Sequence, residues 1–275
     1  MNTKGELKKN GFLTIKKLVP KKKCEEVLKN TFTLLCRFSK VPEKLKKSKK
    51  PWKEKLFHEC MQKLRTENPE AFGAMYDSAT SSIALNNLFT DANLTKKIAS
   101  LLDTKPESFS LSGLIQRMDP PNDSRNLYDW HQERSYYPQN RDGLNGIVVW
   151  IPLMDISLNS GALVVAKGSH KKGYVKSSAK KDTELHSTQY KIPSEIVDKY
   201  ESVMKAISAG DALLMYMTTM HKSSNNESDK FRFVAIGRYH NETTDDFIPF
   251  RNTNKYNEYV KNILEKNGED VSDII

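Results

Sequence analysis

The sequence has few cysteines, and their spacing does not define a metal or disulfide site. Cys24, Cys36 and Cys60 are odd in number and show no CxxC spacing, so we interpret them as buried thiols. No run of 18 apolar residues occurs, and the N-terminus has no apolar signal core. These absences argue against a membrane span and against a disulfide-stapled secreted domain. We therefore expect an intracellular, cytoplasmic protein.

The length and composition are those of a globular protein with a substantial core. The chain has 275 residues, of which 37% are hydrophobic and 28% are charged. That length fits one large domain or two small ones. Because we find no internal repeat and no linker, we predict one domain over residues 1–275.

The net charge of +10 is concentrated near the N-terminus. Residues 1–55 carry 18 Lys and Arg against 5 Asp and Glu, whereas the remaining 220 residues carry 26 against 29. Such a segment could bind an anionic partner such as nucleic acid, a phosphorylated carrier or a membrane surface. The alternative is a lysine-rich solvated surface. No aromatic interleaving or nucleic-acid module accompanies the lysines, so we favour the solvated surface and do not expect a nucleic-acid partner.

Hydrophobic spacing predicts a mainly helical region over residues 1–108 and a β-rich region over 109–240. The spacing favours a helix from Lys21 to Phe38, and Asp91 is a credible N-cap for a helix that reaches Leu101. We predict strands at 109–115, 128–133, 146–153, 162–166, 212–216 and 231–239, and later helices at 195–207 and 254–266. This order favours a mainly β fold with flanking helices. We expect a compact antiparallel barrel or jelly roll with the N-terminal helices outside and a helical tail over 241–275.

His131 and Glu133 are the first candidate metal ligands. They lie two residues apart in a predicted strand, so their side chains should point the same way. The H-x-E pattern alone is weak, because it occurs by chance in half-exposed strands. His221 follows an apolar predicted strand and is a credible third ligand. Two histidines and one carboxylate leave three positions of an octahedral metal open, as in non-haem Fe(II) oxygenases.

Arg232 is a charged residue in an otherwise apolar pattern. It alternates onto the same strand face as Val234 and Ile236. An unpaired buried guanidinium is costly, so we expect an anion to meet it, and its planar fork suits a carboxylate. The alternative is a surface arginine at a strand edge.

The candidate residues belong to an ordered set of motifs, namely His131-Gln132-Glu133, Trp150–Leu153 (WIPL), Asn159–Leu163 (NSGAL), Gly168-Ser169-His170, His221 and Arg232. This set resembles the phytanoyl-CoA dioxygenase family of Fe(II)- and 2-oxoglutarate-dependent oxygenases. The motifs span about residues 109–240, and Gly11–Ile15 is similar to the N-terminal strand of that family. The resemblance implies a double-stranded β-helix (jelly roll) core.

The resemblance assigns the iron to three residues. His131, Glu133 and His221 would hold Fe(II) and form the catalytic centre. The family usually has aspartate where this chain has Glu133, which is longer by one methylene but offers the same oxygen donor. We therefore expect metal binding to survive. Family members that halogenate have a small residue in place of the carboxylate, so retention of Glu133 favours hydroxylation.

The resemblance also assigns the residues that bind the cosubstrate 2-oxoglutarate. Arg232, eleven residues after His221, would bind its distal carboxylate, and Ser223 would lie beside the same carboxylate. Trp150 would line the cosubstrate pocket. Gln116, or a residue near it, would also reach the cosubstrate.

The residues that follow the first two ligands could line the substrate mouth. They are Arg134, Tyr136, Tyr137 and Arg141. Aromatic core packing explains the tyrosines nearly as well. For His170, in its Gly-Ser-His turn, we favour a structural hydrogen-bonding role.

The implied reaction couples conversion of 2-oxoglutarate and O2 to succinate and CO2 with hydroxylation of a substrate, and ascorbate could serve as a reductant. The substrate would be a small molecule or a carrier-linked group, and the basic segment permits an anionic one. Two alternatives stay open. One is a metal-poor, cupin-like binding protein or isomerase in which the histidines serve otherwise. The other is a nucleic-acid-associated protein that uses residues 1–55. The oligomeric state is left open.

Overall fold

Helices predominate among the described residues before 109, and strands joined by loops predominate among those after it. The computed structural model describes residues 3–123, 127–182, 187–249 and 265–266. The helices are α1 (Thr3–Asn10), α2 (Lys21–Phe38), α3 (Glu43–Lys46), α4 (Lys55–Glu67), α5 (Pro69–Thr80), α6 (Ile83–Phe89), α7 (Ala92–Leu101) and α8 (Ser194–Val197). The strands are β1 (Phe12–Ile15), β2 (Phe109–Asp119), β3 (Gly146–Pro152), β4 (Leu163–Ala166), β5 (Ser178–Asp182), β6 (Ser187–Lys191), β7 (Ser202–Met204), β8 (Ala212–Tyr216), β9 (His221–Ser223) and β10 (Arg232–Asn241). Across these described ranges, no helix is long and apolar enough to cross a bilayer.

The larger sheet has five strands in the order β1-β8-β3-β10-β2. Every neighbouring pair in it is antiparallel. Strand β3 lies at the centre, and all seven of its residues are buried. Because both faces of this strand are covered, its sequence is a nearly continuous apolar run rather than an alternating one.

One face of the larger sheet packs against the N-terminal helices. Ile147, Val149 and Ile151 of β3 belong to the same buried cluster as the apolar residues of α2. Those residues of α2 recur every third or fourth position and include Cys24, Val27, Leu28 and Leu35. Burying each valine or leucine of this kind contributes about 1.5–3 kcal/mol. The helices are therefore part of the main core.

The opposite face of the larger sheet meets a second, smaller sheet. Val148 and Trp150 of β3 pack in one cluster with Leu163 and Val165 of β4. The smaller sheet has the order β7-β4-β9, and its pairs are antiparallel. The space between the two sheets is where the candidate site lies.

A single bridge extends the smaller sheet beyond β9. The amide of His131 donates to the carbonyl oxygen of His221, and the amide of His221 donates back to that of His131, both at 3.0 Å. The two candidate ligands are therefore main-chain neighbours. The prediction of a strand over residues 128–133 is wrong apart from this bridge, since residues 128–130 are irregular and Glu133–Ser135 forms a 3-10 turn. The cause is that the amides of Tyr136 and Tyr137 both donate to the carbonyl oxygen of Glu133 at 2.9 Å, which turns the chain away.

The predicted helix over 195–207 is also wrong for most of its length. Helix α8 ends at Val197, and the chain then pairs with β4 as strand β7. Further on, Ile207 forms a bridge with Ile156. Main-chain pairing with a sheet already in place outweighed the local helical spacing. The predicted helix over 254–266 lies outside the described residues apart from 265–266, so it stays a prediction.

Candidate metal centre

Gln132 fixes the orientation of His131 and Glu133 where no continuous strand does so. Its backbone is extended (φ −119°, ψ 137°), so the two flanking side chains project to the same side. The Gln132 side chain projects the other way and is buried. It forms three hydrogen bonds with main-chain atoms, namely those of Gly173 (2.9 Å), Thr218 (2.6 Å) and Val175 (2.9 Å).

The hydrogen bonds of His131 and His221 leave the Nε2 atom of each ring available to bind a metal. The Nδ1 atom of His131 lies 2.6 Å from the carbonyl oxygen of Asp129, and the Nδ1 atom of His221 lies 2.9 Å from that of Thr219. A carbonyl oxygen can only accept a hydrogen bond, so Nδ1 carries the proton of the neutral ring. Each Nε2 atom then keeps its lone pair for a metal.

These two Nε2 atoms converge on one oxygen of Glu133. The Oε1 atom of Glu133 lies 3.8 Å from Nε2 of His131 and 3.4 Å from Nε2 of His221. One ligand atom from each residue lies within 4.8 Å of the others, and all three residues are buried. Two imidazole nitrogens and one carboxylate oxygen on a single side fit a divalent first-row metal with open positions.

The surroundings of Glu133 and His131 favour the metal-binding forms of these two residues. Burial raises the pKa of Glu133, but the charge of the Arg238 guanidinium, with smaller contributions from the two neighbouring histidine rings, outweighs it and holds that pKa well below its usual value. The Nε atom of Arg238 donates to Oε2 of Glu133 at 2.9 Å. Burial and the neighbouring His221 lower the pKa of His131. The cluster is therefore an ionised carboxylate beside a neutral imidazole, as metal coordination requires.

A cavity of about 390 Å³ opens beside the three ligands, between the two sheets. This volume is at the lower end of the usual range for ligand pockets, about 300–1,000 Å³. The predicted cosubstrate residues Trp150, Ser223 and Arg232 all line it. Residues from β3, β9 and β10 therefore meet around one cavity, although they are far apart in sequence.

Arg232 has the anionic neighbour that its place on an apolar face requires. Its Nε and Nη2 atoms donate to Oδ2 of Asp119 at 3.0 and 2.6 Å, and its Nη1 atom donates to the carbonyl oxygen of Gly161. The other carboxylate oxygen of Asp119 accepts from Nε (3.2 Å) and Nη2 (2.7 Å) of Arg117. Burial raises the pKa of Asp119, but the two arginines outweigh it and lower that pKa. One carboxylate therefore holds two arginines at the cavity wall.

Gln116 does not contribute to the cavity lining. It lies on the opposite face of β2, where it is buried and its amide nitrogen donates to the Thr31 hydroxyl at 2.5 Å. The adjacent residues Ile115 and Arg117 face the cavity instead. Because side chains alternate along a strand, an error of one residue in register reversed the assignment.

Several residues that line the cavity were not predicted as metal ligands or cosubstrate-binding residues. Arg238 is the most prominent, and its position could have been found by continuing the alternation that starts at Arg232 through Val234 and Ile236 along β10. Four tyrosines also line the cavity, namely Tyr76, Tyr128, Tyr136 and Tyr137. The last two are the tyrosines that the sequence offers for the substrate mouth. Tyr76 comes from helix α5, and no sequence motif marks it.

Other polar residues near the motifs have structural contacts. The Nε2 atom of His170 lies 3.1 Å from the carbonyl oxygen of Lys8, and its ring stacks on Tyr216 with centroids 5.3 Å apart. The Nε atom of Arg134 donates to the carbonyl oxygen of Arg141 at 2.6 Å. His170, Arg134 and Arg141 lie outside the cavity lining.

Two antiparallel sheets around a cavity with two histidines and a carboxylate define the class of a non-haem metal enzyme. Comparison with known families gives the finer assignment. The model of the phytanoyl-CoA dioxygenase (PhyH) family matches residues 7–234, and the chain belongs to this family. No curated protein sequence matches the chain.

Solved structures share this fold at low sequence identity. The α-ketoglutarate-dependent epimerase SnoN from nogalamycin biosynthesis is 15% identical, with a TM-score of 0.58 over 86% of this chain and 79% of SnoN. The nickel complex of the non-haem monooxygenase ThoJ is 16% identical, with a TM-score of 0.56 over 96% of this chain and 95% of ThoJ. EctD from S. alaskensis, with 2-oxoglutarate and 5-hydroxyectoine bound, is 15% identical, with a TM-score of 0.55 over 90% of this chain and 82% of EctD.

Proposed function

We propose that the chain is an Fe(II)- and 2-oxoglutarate-dependent dioxygenase that hydroxylates a small-molecule or carrier-linked substrate. The observation that carries this proposal is the convergence of His131, Glu133 and His221 at the wall of a cavity that also contains Arg232. Membership of the PhyH family supports it, and so do solved relatives of the same fold that contain 2-oxoglutarate.

His131, Glu133 and His221 would hold the metal through Nε2, Oε1 and Nε2. When bound there, Fe(II) would supply the activation of O2 and the oxidation of substrate. The chain itself supplies the geometry. Gln132 holds the ligand segment in place, and the carbonyl acceptors fix both imidazole rings.

Arg232, Ser223 and Trp150 would bind 2-oxoglutarate. Ser223 lies two residues after His221 in β9, and both side chains reach the cavity. Although Arg232 is paired with Asp119, each terminal nitrogen of its guanidinium has a second N–H for a ligand carboxylate. Arg232 can therefore bind the distal carboxylate while Asp119 keeps it oriented.

We extend the proposal to the fold and to the chain as a whole. The two facing antiparallel sheets would form the double-stranded β-helix of the family, within one domain over residues 1–275. The helical tail and the cytoplasmic location stay predictions. Hydroxylation is favoured because Glu133 retains the carboxylate, and the epimerase SnoN shows that the fold also serves another outcome.

Turnover tests this function across many candidate substrates at once. Protein with Fe(II) and 2-oxoglutarate would be screened against a metabolite library, with succinate release as the signal and mass spectrometry of the products to detect an added oxygen. His131→Ala and His221→Ala should each abolish substrate-dependent succinate formation, because each removes one of three metal ligands.

Calorimetry separates this function from that of a cupin-like binding protein or isomerase. Mn(II)-loaded protein should bind 2-oxoglutarate, and metal-free protein should bind it much more weakly. Metal-independent binding, or unchanged turnover in either alanine variant with a native melting temperature, would refute the assignment.

A further inference from the structure

Arg238 is a buried arginine that contacts a candidate metal ligand and that no motif assigns. It is 4% exposed, and its Nε atom donates to Oε2 of Glu133 at 2.9 Å. The Oε1 atom of Glu133 faces the two histidines instead. The two oxygens of one carboxylate therefore have separate partners, the ligand cluster for Oε1 and a guanidinium for Oε2.

The environment of Arg238 holds its guanidinium in this place. The Nη1 atom donates to the carbonyl oxygen of Gly113, and the guanidinium carbon lies 4.4 Å from the centre of the Tyr137 ring. Gly113 has φ +54°, and a Cβ atom there would collide with the Tyr137 ring. Gly113 thus allows Tyr137 to pack closely enough to support Arg238.

We propose that Arg238 is a positioning residue that makes Glu133 a ligand through one oxygen. This inference rests on the proposed metal site. Glutamate has one more rotatable bond than aspartate, so its carboxylate can turn to present both oxygens to a metal or swing away from it. A charge-assisted hydrogen bond to Oε2 opposes both movements and leaves only Oε1 for the metal.

This role explains how glutamate serves at a position where aspartate is more usual in the family. Shortening the side chain by one methylene withdraws the carboxylate by about 1.5 Å, one carbon–carbon bond. From a starting distance of 2.9 Å, a carboxylate withdrawn in this way in the Glu133→Asp variant would lie beyond hydrogen-bonding reach of Arg238. Arg238 and Glu133 therefore act as a pair, and the contribution of Arg238 depends on the length of residue 133.

A double-mutant cycle measured by metal binding tests the pair. The Kd for Mn(II) would be determined without oxygen or substrate for wild type, Arg238→Met, Glu133→Asp and the double variant. Arg238→Met should weaken Mn(II) binding about 10- to 100-fold in the wild-type background, because hydrogen bonds to charged groups are among the strong ones. In the Glu133→Asp background the same change should weaken it less than about 3-fold.

Controls keep the result interpretable. Arg141→Met removes another buried arginine, one that does not line the cavity, and should leave the Mn(II) Kd within about 2-fold of wild type. If Arg238→Met does not fold, as judged by circular dichroism, the cycle is run with Arg238→Lys. Lysine keeps the charge but lacks the planar fork, so part of the loss should persist.

The outcomes separate this role from the proposed function. Equal losses in the wild-type and Glu133→Asp backgrounds would refute the positioning role while leaving the metal site intact. Absence of saturable Mn(II) binding by the wild type would refute the metal site and this role together. A loss confined to the wild-type background supports both.

Discussion

At the level of single residues, paired arginines determine the charge of the cavity as much as the metal ligands do. Arg117, Arg232 and Arg238 all line it, and each is paired with a carboxylate, the first two with Asp119 and the third with Glu133. A buried charge costs several kcal/mol unless it is paired. Three guanidinium groups share two carboxylates, so one positive charge is left over, and a dianionic cosubstrate would be balanced by that charge together with the metal.

Replacing Arg232 with lysine tests its proposed contact with the cosubstrate. Lysine cannot offer a planar fork to Asp119 and to a ligand carboxylate together, so Arg232→Lys should raise the Kd for 2-oxoglutarate about 10- to 100-fold. The Mn(II) Kd should change little, because Arg232 does not contact the ligand cluster. Calorimetric titration of the metal-free variant with Mn(II), and of the Mn(II)-loaded variant with 2-oxoglutarate, measures the two Kd values. An unchanged Kd for 2-oxoglutarate would transfer the role to another group, with Arg117 as the first candidate.

Buried histidines outside the site make the fold sensitive to acid. Burial lowers the pKa of His58 to about 4, although its contact with the Trp52 carbonyl opposes the shift. The other ring nitrogen of His58 accepts from the amide of Phe231, next to Arg232. In the unfolded chain the ring is protonated below about 6.5, whereas in the folded chain it stays neutral to about pH 4. Stability is therefore lost as pH falls from about 6.5 to 4, by about 2 kcal/mol at pH 5.

Urea unfolding of wild type and His58→Gln at pH 7 and pH 5 checks this sign. Glutamine can accept and donate in the same pocket but does not titrate, so its free energy of unfolding should fall less between the two pH values. Equal losses in both proteins would show that His58 does not carry the acid sensitivity.

At the level of elements, the sequence predicted a helix or strand correctly where one hydrophobic or capping pattern dominated the segment. Helix α2 has the predicted bounds, Lys21–Phe38, because its apolar stripe is long and regular. Asp91 caps α7 as predicted, since its carboxylate accepts from the amides of Asn93 and Leu94. The failures lie where tertiary pairing decides. Residues 202–204 form a strand because their main chain pairs with the edge of β4. Gln116 was predicted to reach the cosubstrate, but its side chain lies on the opposite face of β2.

The same distinction holds for the candidate site. The spacing of His131 and Glu133 and the strand that precedes His221 are visible in the sequence, so the three residues of the candidate cluster could be predicted. The pairing of Arg238 with Glu133 joins positions 105 residues apart, and no local pattern reports such a contact.

Replacing Gln132, which lies between the ligands His131 and Glu133, tests whether its hydrogen bonds set the geometry of that segment. Gln132→Leu preserves the side-chain volume but removes the partners of the buried Thr218 carbonyl and Val175 amide and of the half-buried Gly173 carbonyl, which should cost roughly 3 kcal/mol. The Mn(II) Kd should also rise, because His131 and Glu133 lose their fixed relation. Urea unfolding and Mn(II) titration check the two effects. Gln62→Leu, on the exposed side of α4, is the control and should change stability by less than about 0.5 kcal/mol. Metal affinity unchanged in a destabilised Gln132→Leu protein would mean that other contacts set the ligand geometry.

At the level of the whole molecule, the basic N-terminal segment cannot be treated as an appendage. Strand β1 pairs along its length with β8 at the edge of the larger sheet, and α2 packs on that sheet. Both lie within residues 1–55, which also hold the excess positive charge. Deleting this segment would expose the core, so a loss of activity after truncation says nothing about the charge.

Reversing the charge of exposed lysines tests whether the positive charge of residues 1–55 matters for activity, because it leaves the core intact. Lys44, Lys47, Lys49 and Lys53 are exposed around α3 and the turn that follows it. Replacing all four with glutamate changes the net charge by −8 and should alter stability by less than about 2 kcal/mol, since exposed charges are worth little individually. If the lysines are a solvated surface, substrate-dependent succinate formation should stay within about 2-fold of wild type. A loss of tenfold or more that shrinks at high salt would instead show that the segment attracts an anionic substrate or carrier, because exposed charges act at long range only when salt is low.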